Sequence, residues 1–332
     1  MIERVLADPL RSAAVARGLA LFVVAGAALY LGAVLWVDHA SVQASFARIG
    51  AQAMGLAAVL ASLAYLVRFA RWQLCLRVLG QRVPVVRNLA VYIAGLALTT
   101  SPGKLGETLR SALLVPWRVP LAVSLAAFLA DRLSDVLGVA LLWWFAARVA
   151  GSETRVAAAL VGMVLVGGFV LRGTLFGAKQ SRIFGPLHVW LHRWVPARLA
   201  DALQHWRTLW SVPRVLLFAC TAVLAYGLQA LVFAGLCAQA GVALPLVQLV
   251  AMFASSTLIG AASLVPGGLG AMELSLVLQL RGAGVEEGLA VSLAIATRLV
   301  TLWFGVALGI LALGNCAHHL RTYRMNSDRD PS

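Results

Sequence analysis

An apolar region of the chain is broken by the stretch Ser101-Pro102-Gly103-Lys104-Leu105-Gly106-Glu107. Proline removes a backbone donor and fixes φ, and glycine adopts backbone conformations that are unfavourable for other residues. A helix that enters this stretch should therefore stop and start again. Inside a bilayer, the backbone groups and charges at such a break are tolerated only where protein or a water-filled cavity surrounds them. The break is therefore a candidate site.

The composition indicates a polytopic membrane protein. The chain has 332 residues, of which 61% are hydrophobic and 12% are charged, and its mean hydropathy is +0.88. These values exclude a soluble globular domain. The net charge of +14 could suggest nucleic-acid binding, but the Lys and Arg residues cluster at the ends of apolar runs. Orientation in the membrane explains that clustering better, so we expect no nucleic-acid partner.

Apolar runs predict six transmembrane helices, at residues 18–37, 49–67, 119–147, 156–173, 213–238 and 289–313. Two further apolar regions, 88–115 and 248–280, contain the Pro-Gly breaks. The pieces of the first are too short to cross about 30 Å of hydrocarbon at about 1.5 Å per residue. We predict that each region forms a re-entrant hairpin made of broken helices. Lys and Arg concentrate in segments that this layout assigns to the cytoplasm, which places both termini inside.

The second break repeats the first, with the sequence Val265-Pro266-Gly267-Gly268-Leu269-Gly270-Ala271-Met272-Glu273. The similarity continues downstream, where Arg132-Leu133 aligns with Arg298-Leu299 and 138–141 aligns with 305–308. Each half contains two spans, a hairpin and a third span. Because three spans is an odd number, the second half should be inverted relative to the first. Inverted repeats with discontinuous helices are typical of secondary transporters.

The domain prediction follows from this repeat. Residues 1–315 form one transmembrane domain, with inverted halves at about 17–147 and 156–313. A basic connector at 174–212 has the composition of amphipathic helices that lie on an anionic membrane surface. Residues 316–332 form a polar cytoplasmic tail.

Charged residues at mid-depth are the predicted headgroup-binding set: Lys104, Glu107, Asp131, Arg132, Glu273 and Arg298. Proline and glycine at the breaks are predicted to shape the hairpins: Pro102, Gly103, Gly106, Pro266, Gly267, Gly268 and Gly270. We assign structural ion pairing to Arg110 and Asp135. A Trp/Arg-rich run, Arg68, Arg71 and Trp72, is predicted to anchor the chain at the cytoplasmic interface. For the buried Arg and Glu residues, a purely structural ion-pair lock stays open as the alternative to substrate contact.

These residues favour transport of an anionic lipid headgroup. Helix N-termini at the breaks, together with Lys and Arg, suit a phosphate group. No catalytic motif occurs, so we predict neither enzymatic activity, a cofactor nor a metal site. Two alternatives stay open: a small-solute secondary transporter, and a membrane enzyme of lipid-linked phosphate. The enzyme would hold a divalent metal between acidic residues, namely Glu107, Asp131, Asp135 and Glu273.

At four places the chain resembles the lysylphosphatidylglycerol synthase transmembrane-region family: Arg68-Phe69-Ala70-Arg71-Trp72, Pro102–Glu107, Asp131-Arg132-Leu133-Ser134-Asp135 and Pro266–Glu273. The resemblance covers about residues 20–315. It implies the flippase-like domain that moves aminoacylated lipid across the bilayer in bifunctional synthases. Because the sequence ends at Ser332 without a soluble acyltransferase domain, lipid lysylation is not expected. The resemblance implies a multi-pass protein of the bacterial inner membrane. We expect membrane lipids as partners, with a second copy of the chain or a lipid-synthesising enzyme as further candidates.

Overall fold

A computed structural model describes residues 39–100, 109–114, 117–151, 156, 158–165, 205–206, 208–263 and 265–314. These ranges are helical and contain no strand, which confirms the predicted all-α class for them. The helices are α1 His39–Val78, which is broken by a kink at Gly50, α2 Val85–Leu96, α3 Leu109–Leu113, α4 Leu121–Val149, α5 Val212–Gln239, α6 Leu246–Ala262, α7 Ala271–Gly282 and α8 Glu287–Arg298. A π-helical turn extends α8 to Gly314. The predicted span at 18–37, the break at 101–107 and the tail at 316–332 lie outside the described residues.

Three of the described helices are long and apolar enough to cross a membrane: Ile49–Val78, Val212–Gln239 and Glu287–Gly314. They correspond to the predicted spans at 49–67, 213–238 and 289–313. The first is longer than predicted, because α1 continues through its Arg- and Trp-rich segment to Val78. Helix α4 has 29 residues, but the charges at 131, 132, 135 and 148 keep it out of this group. The total of six spans stays a prediction.

Proline marks the start of four described helices. Pro84, Pro120 and Pro245 stand at the N-caps of α2, α4 and α6, and Pro213 lies in the first turn of α5. A backbone N–H at the start of a helix has no partner within the helix, so the donor that proline lacks is not missed there. The fixed φ of proline also suits the first helical turn. Helix α8 begins differently, because the Glu286 side chain accepts hydrogen bonds from the backbone N–H groups of Gly288 and Leu289.

Helices α6 and α7 form a helical hairpin around the second Pro-Gly break. The turn between them contains a short 3₁₀ segment, with positive φ angles of 64° at Gly267 and 66° at Gly268. A Cβ on Gly268 would lie 3.0 Å from the carbonyl oxygen of Gly260, so this close approach requires glycine. Ser256 donates to Ser275 at 2.9 Å, and Gln279 donates to the carbonyl of Met252 at 3.4 Å. Contacts in this reversed order show that the two helices are antiparallel. A 12-residue α7 spans about 18 Å and is too short to cross a bilayer.

The contacts between α1 and α4 show that the first hairpin begins and ends on the same side of the molecule. Arg68 of α1 pairs with Asp135 of α4, and Arg71 lies closer to the start of α4 by pairing with Asp131. The two helices are therefore antiparallel, and the segment between them ends on the side of the molecule where it begins. This is the path that a re-entrant hairpin requires, although its place in a membrane stays a prediction.

The two halves pack in a reciprocal manner. Helix α1 packs against α5, α4 packs against α5, and α8 packs against α1. The aligned glycines take equivalent places in these contacts: Gly138 of α4 lies against Ala222 of α5, and Gly305 lies against Tyr65 of α1. Each glycine therefore contacts the helix that precedes the hairpin of the other half. This exchange of partners is what a two-fold relation between the halves requires, and the inverted repeat itself stays a prediction.

The connector is described only from residue 205 onward, with 207 excepted. Trp206 and Trp210 are both fully buried, and their rings stack with centroids 4.6 Å apart. At this end of the connector, the apolar face therefore packs into the protein core. The place of 174–212 on the membrane surface stays a prediction, since most of it lies outside the described residues.

The contact at Gly138 yields a first stability prediction. A Cβ at this position would lie 2.3 Å from the Cβ of Ala222 and 2.8 Å from its backbone carbonyl carbon. We expect Gly138→Ala to destabilise the protein by about 1–3 kcal/mol, since α4 and α5 must move apart. Gly227→Ala on α5 is the matched control, because nothing lies within 4 Å of the added atom. Melting curves of the detergent-solubilised proteins measure both, and equal melting temperatures would contradict the close packing.

Candidate functional site

A network of buried ion pairs joins α1 to α4. Arg68 and Arg71 are one helical turn apart, as are Asp131 and Asp135, so each pair shares one helix face. Arg71 Nη2 donates to Asp131 Oδ1 at 2.6 Å and to Asp135 Oδ1 at 2.5 Å. Arg68 Nη2 donates to Asp135 Oδ2 at 2.6 Å. The side chains of Arg71 and Asp131 are 0% exposed. Buried charges of this kind persist only when they are paired with good geometry, which these contacts provide.

Two more arginines border this network. Arg132 Nη2 donates to Asp131 Oδ2 at 2.5 Å, and its Nη1 lies 3.2 Å from Asp135 Oδ2. Arg110 of the short helix α3 lies 3.9 Å from Asp131 Oδ2. The Arg110 guanidinium also faces the ring of Tyr92, 4.1 Å from its centroid, in a cation–π contact. Arg110 thus links helix α3 to α4 and α2, and Ser111 of α3 adds a hydrogen bond of 2.7 Å to Ser124 of α4.

The second half contains a simpler cluster around Arg298. Its Nε donates to Glu273 Oε1 at 2.8 Å, and its Nη2 donates to the backbone oxygen of Gly267 at 2.5 Å. Its Nη1 lies 3.5 Å from the sulfur of Met272. Arg298 therefore ties α8 to both the turn and the first residues of α7. Its side chain is 7% exposed.

Both clusters border one cavity of about 260 Å³. Among the described residues, three arginines line it, Arg68, Arg132 and Arg298, together with Asp135. Its walls come from both halves of the predicted repeat, namely from α1, α2 and α4 and from α5, α6, α7 and α8 with its extension. Ala261 and Val265 also line it and are exposed, so the cavity reaches the molecular surface beside the α6–α7 turn. Guanidinium groups bind phosphate and carboxylate through paired N–H donors.

Residues 23–309 match the family model described as lysylphosphatidylglycerol synthase TM region. The chain belongs to the lysylphosphatidylglycerol synthase TM region family. This confirms the resemblance carried by the four sequence motifs. A search of curated proteins finds no match to the chain. Family membership makes it a multi-pass membrane protein of lipid metabolism or transport.

The structure corrects one assignment within this TM region. Arg68, Arg71 and Trp72 were expected to be anchors in the headgroup layer, but they are 6%, 1% and 0% exposed. The arginines are buried because carboxylates of α4 pair with them. The Trp72 Nε1–H donates to Asn88 Oδ1 at 3.2 Å. The sequence does contain a signal for this contact. Two arginines stand three residues apart on α1, and two aspartates stand four residues apart on α4, so each pair shares one helix face.

The predicted headgroup-binding residues divide into three groups. Arg132 and Arg298 line the same cavity. Asp131 and Glu273 are paired to these arginines and are not among the residues that line the cavity. Lys104 and Glu107 lie outside the described residues, as do the hairpin-shaping Pro102, Gly103 and Gly106. Of the glycines in the second hairpin, Gly267, Gly268 and Gly270 have positive φ.

The two residues assigned to structural ion pairing, Arg110 and Asp135, differ in their surroundings. Arg110 is buried and contacts the network, which agrees with a structural role. Asp135 forms ion pairs as predicted, but it also lines the cavity. Sequence reasoning missed Tyr226 and Gln229 of α5, which line the same cavity. A glutamine in the middle of an apolar 28-residue helix is a signal that could have found this wall.

Within the described residues, no group of three or more His, Cys, Asp or Glu side chains is placed so that it could hold a metal ion. Both oxygens of Asp131 accept hydrogen bonds from arginine. Both oxygens of Asp135 likewise contact arginine. The chemistry available to these two carboxylates is therefore to position guanidinium groups.

Proposed function

We propose that this protein is a lipid transporter of the bacterial inner membrane that moves an anionic, phosphate-bearing headgroup through the cavity between its halves. The observation that carries the proposal is the convergence of Arg68, Arg132 and Arg298 on one cavity. Two of these arginines come from aligned positions of the repeat. Transport requires a site that both halves can reach, and a cavity between repeat units meets that requirement.

The size and position of the cavity favour a headgroup over a whole lipid. Pockets for drug-sized ligands measure about 300–1,000 Å³, and this cavity is smaller. The acyl chains would stay in the bilayer and pass the exposed edge near Val265. A small-solute transporter needs no path for acyl chains. Membership in a family of lipid metabolism or transport also supports a lipid over a small solute as the substrate.

Reconstitution into vesicles tests the proposal. Phosphatidylglycerol and a polyprenyl phosphate, each with a fluorophore on the hydrocarbon chain, are placed in both leaflets, and a membrane-impermeant quencher is added outside. We expect transport to expose the inner-leaflet lipid to the quencher much faster than in protein-free vesicles. Rates equal to those of protein-free vesicles for every anionic lipid would refute the proposal. Transport that depends on a chelatable divalent metal and releases phosphate would instead favour the enzyme.

Arg132 provides a variant for the same assay. Arg132→Ala removes a guanidinium from the cavity and should lower the transport rate by about tenfold or more, since hydrogen bonds to charged groups contribute about 1.5–3 kcal/mol. Arg132→Lys keeps the charge and should retain part of the rate. The control is Arg281→Gln, because Arg281 is 51% exposed and lies away from the cavity. Elution as a single species confirms that each variant is folded.

A further inference from the structure

We propose that the π-helical turn Leu299–Trp303 is a joint that lets the α6–α7 hairpin move relative to α2 during lipid transport, and that Tyr65 stabilises this joint. The inference rests on the proposed transport function and adds the moving part that transport would use. Two observations carry it. Helix α8 is attached to different elements before and after the π turn, and the turn itself has a side-chain partner on α1.

Before the π turn, α8 is attached to the α6–α7 hairpin through Arg298. Its Nε donates to Glu273 Oε1 in the first turn of α7 at 2.8 Å, and its Nη2 donates to the backbone oxygen of Gly267 between the two helices at 2.5 Å. Hydrogen bonds of a charged group are directional, and they are costly to break where the group is buried. The first part of α8 and the hairpin turn should therefore move together.

After the π turn, the extension of α8 packs closely on α2 and α1. Gly305 and Gly309 stand four residues apart and share one face of the extension. A Cβ on Gly309 would lie 2.2 Å from the backbone nitrogen of Ala97 at the end of α2. A Cβ on Gly305 would lie 2.5 Å from the hydroxyl of Tyr65 on α1. Glycine permits helices to approach this closely, so the extension should move with α2 and α1.

The hydrogen bonds of the π turn allow a second arrangement. The N–H of Phe304 bonds to the oxygen of Leu299, five residues earlier instead of four. Turns of this kind are rare and occur frequently at functional sites. The Tyr65 hydroxyl donates to the backbone oxygen of Thr301 at 3.2 Å, which stabilises the turn from outside α8. A change of register by one residue would rotate the extension by about 100° relative to the first part of α8.

The joint lies along the wall of the cavity. Arg298, Thr301 and Gly305 line the cavity, and they stand before, within and after the π turn. A Cβ on Gly267 would lie 3.3 Å from the Cα of Thr100, so the hairpin turn also contacts the chain just after α2. A change in the joint would therefore alter this contact and the position of Arg298 at the same time. Alternating access needs such coupled movement of the elements around a binding site.

Distances between spin labels test the joint in the full chain, in nanodiscs of phosphatidylcholine with and without phosphatidylglycerol. The four native cysteines are changed to alanine, and labels are attached at exposed positions. One pair joins Leu278 of α7 to Ile310 of the α8 extension, and the control pair joins Val86 of α2 to Ile310. We expect the first pair to show a second distance population that grows with phosphatidylglycerol. The control pair should keep a single distance, because its members lie on the same side of the joint.

Tyr65→Phe makes the test sharper, because it removes the hydrogen bond to Thr301 and keeps the ring. We expect it to increase the second population of the Leu278–Ile310 pair by about two- to tenfold, the factor that one hydrogen bond supplies. Ser292→Ala is the matched control, since it removes a hydroxyl bond of 2.7 Å to the backbone of the same helix away from the joint. It should leave the populations unchanged.

The outcomes separate the joint from the transport function. A single, unchanged Leu278–Ile310 distance in both the native protein and Tyr65→Phe, together with lipid transport, would overturn the joint and leave the proposed function intact. An equal increase of the second population in Ser292→Ala would overturn the role of Tyr65. A second population in a protein that transports no lipid would refute the proposed function, and the assignment of the joint to transport would fail with it.

Discussion

Arg71→Met is expected to destabilise the protein by about 3–5 kcal/mol, because it breaks the buried ion network that joins α1 to α4. Arg71 supplies three hydrogen bonds to two carboxylates and has no exposed surface. Methionine fills a similar volume without these donors, and Asp131 and Asp135 would then be buried with their charge only partly compensated. Removing one member of a buried ion network costs more than the network adds in net stability, because the remaining charges stay desolvated.

The measurement is the melting temperature of purified protein in detergent. Arg77→Met, on the same helix but exposed, should change stability by no more than about 0.5 kcal/mol. The double variant Arg71→Met/Asp131→Asn removes the carboxylate that loses two Arg71 donors and also takes a partner from Arg132. The coupling between the two changes can be read from a double-mutant cycle. A melting temperature for Arg71→Met close to that of Arg77→Met would show that the network does not hold α1 to α4.

Much of the second half could be predicted from the sequence, because its signals are local. Proline sets where α5 and α6 begin, and the glycines at 267, 268 and 270 permit the positive φ angles of the turn. Such constraints act on one or two residues and need no knowledge of distant contacts. The spans at α5 and α8 were likewise evident from hydropathy and length.

The role of the Arg68–Trp72 segment could not be read in the same way. A run with two arginines, phenylalanine and tryptophan has the composition of an interfacial anchor, and hydropathy alone ends the span before it. What changes its role is a pair of aspartates about 60 residues later in the chain. Burial of these arginines depends on a tertiary contact that only the assembled helices create. The repeat alignment related Arg132 to Arg298 across the chain without knowledge of tertiary contacts, and both residues line the cavity.

The pair formed by Arg298 and Glu273 allows the structural and the transport roles of a buried arginine to be separated. Arg298→Gln alone should both slow transport and lower the melting temperature, because Glu273 loses its partner at 2.8 Å and the Gly267 carbonyl loses its donor. Both outcomes would follow from either role. The single variant therefore cannot distinguish a structural lock from a residue that contacts the headgroup.

The double variant Glu273→Gln/Arg298→Gln does distinguish them. Two neutral amides of similar shape remove the uncompensated charge, so most of the lost stability should return. Transport should stay lower by about tenfold or more, since the cavity still lacks one of its three guanidinium groups. The matched control is Arg281→Gln/Glu287→Gln, which removes an exposed ion pair of 3.2 Å between α7 and α8. That control should affect neither quantity. Recovery of transport in the first double variant would assign Arg298 to the hairpin turn alone, and the cavity would then have to bind its headgroup through Arg68 and Arg132.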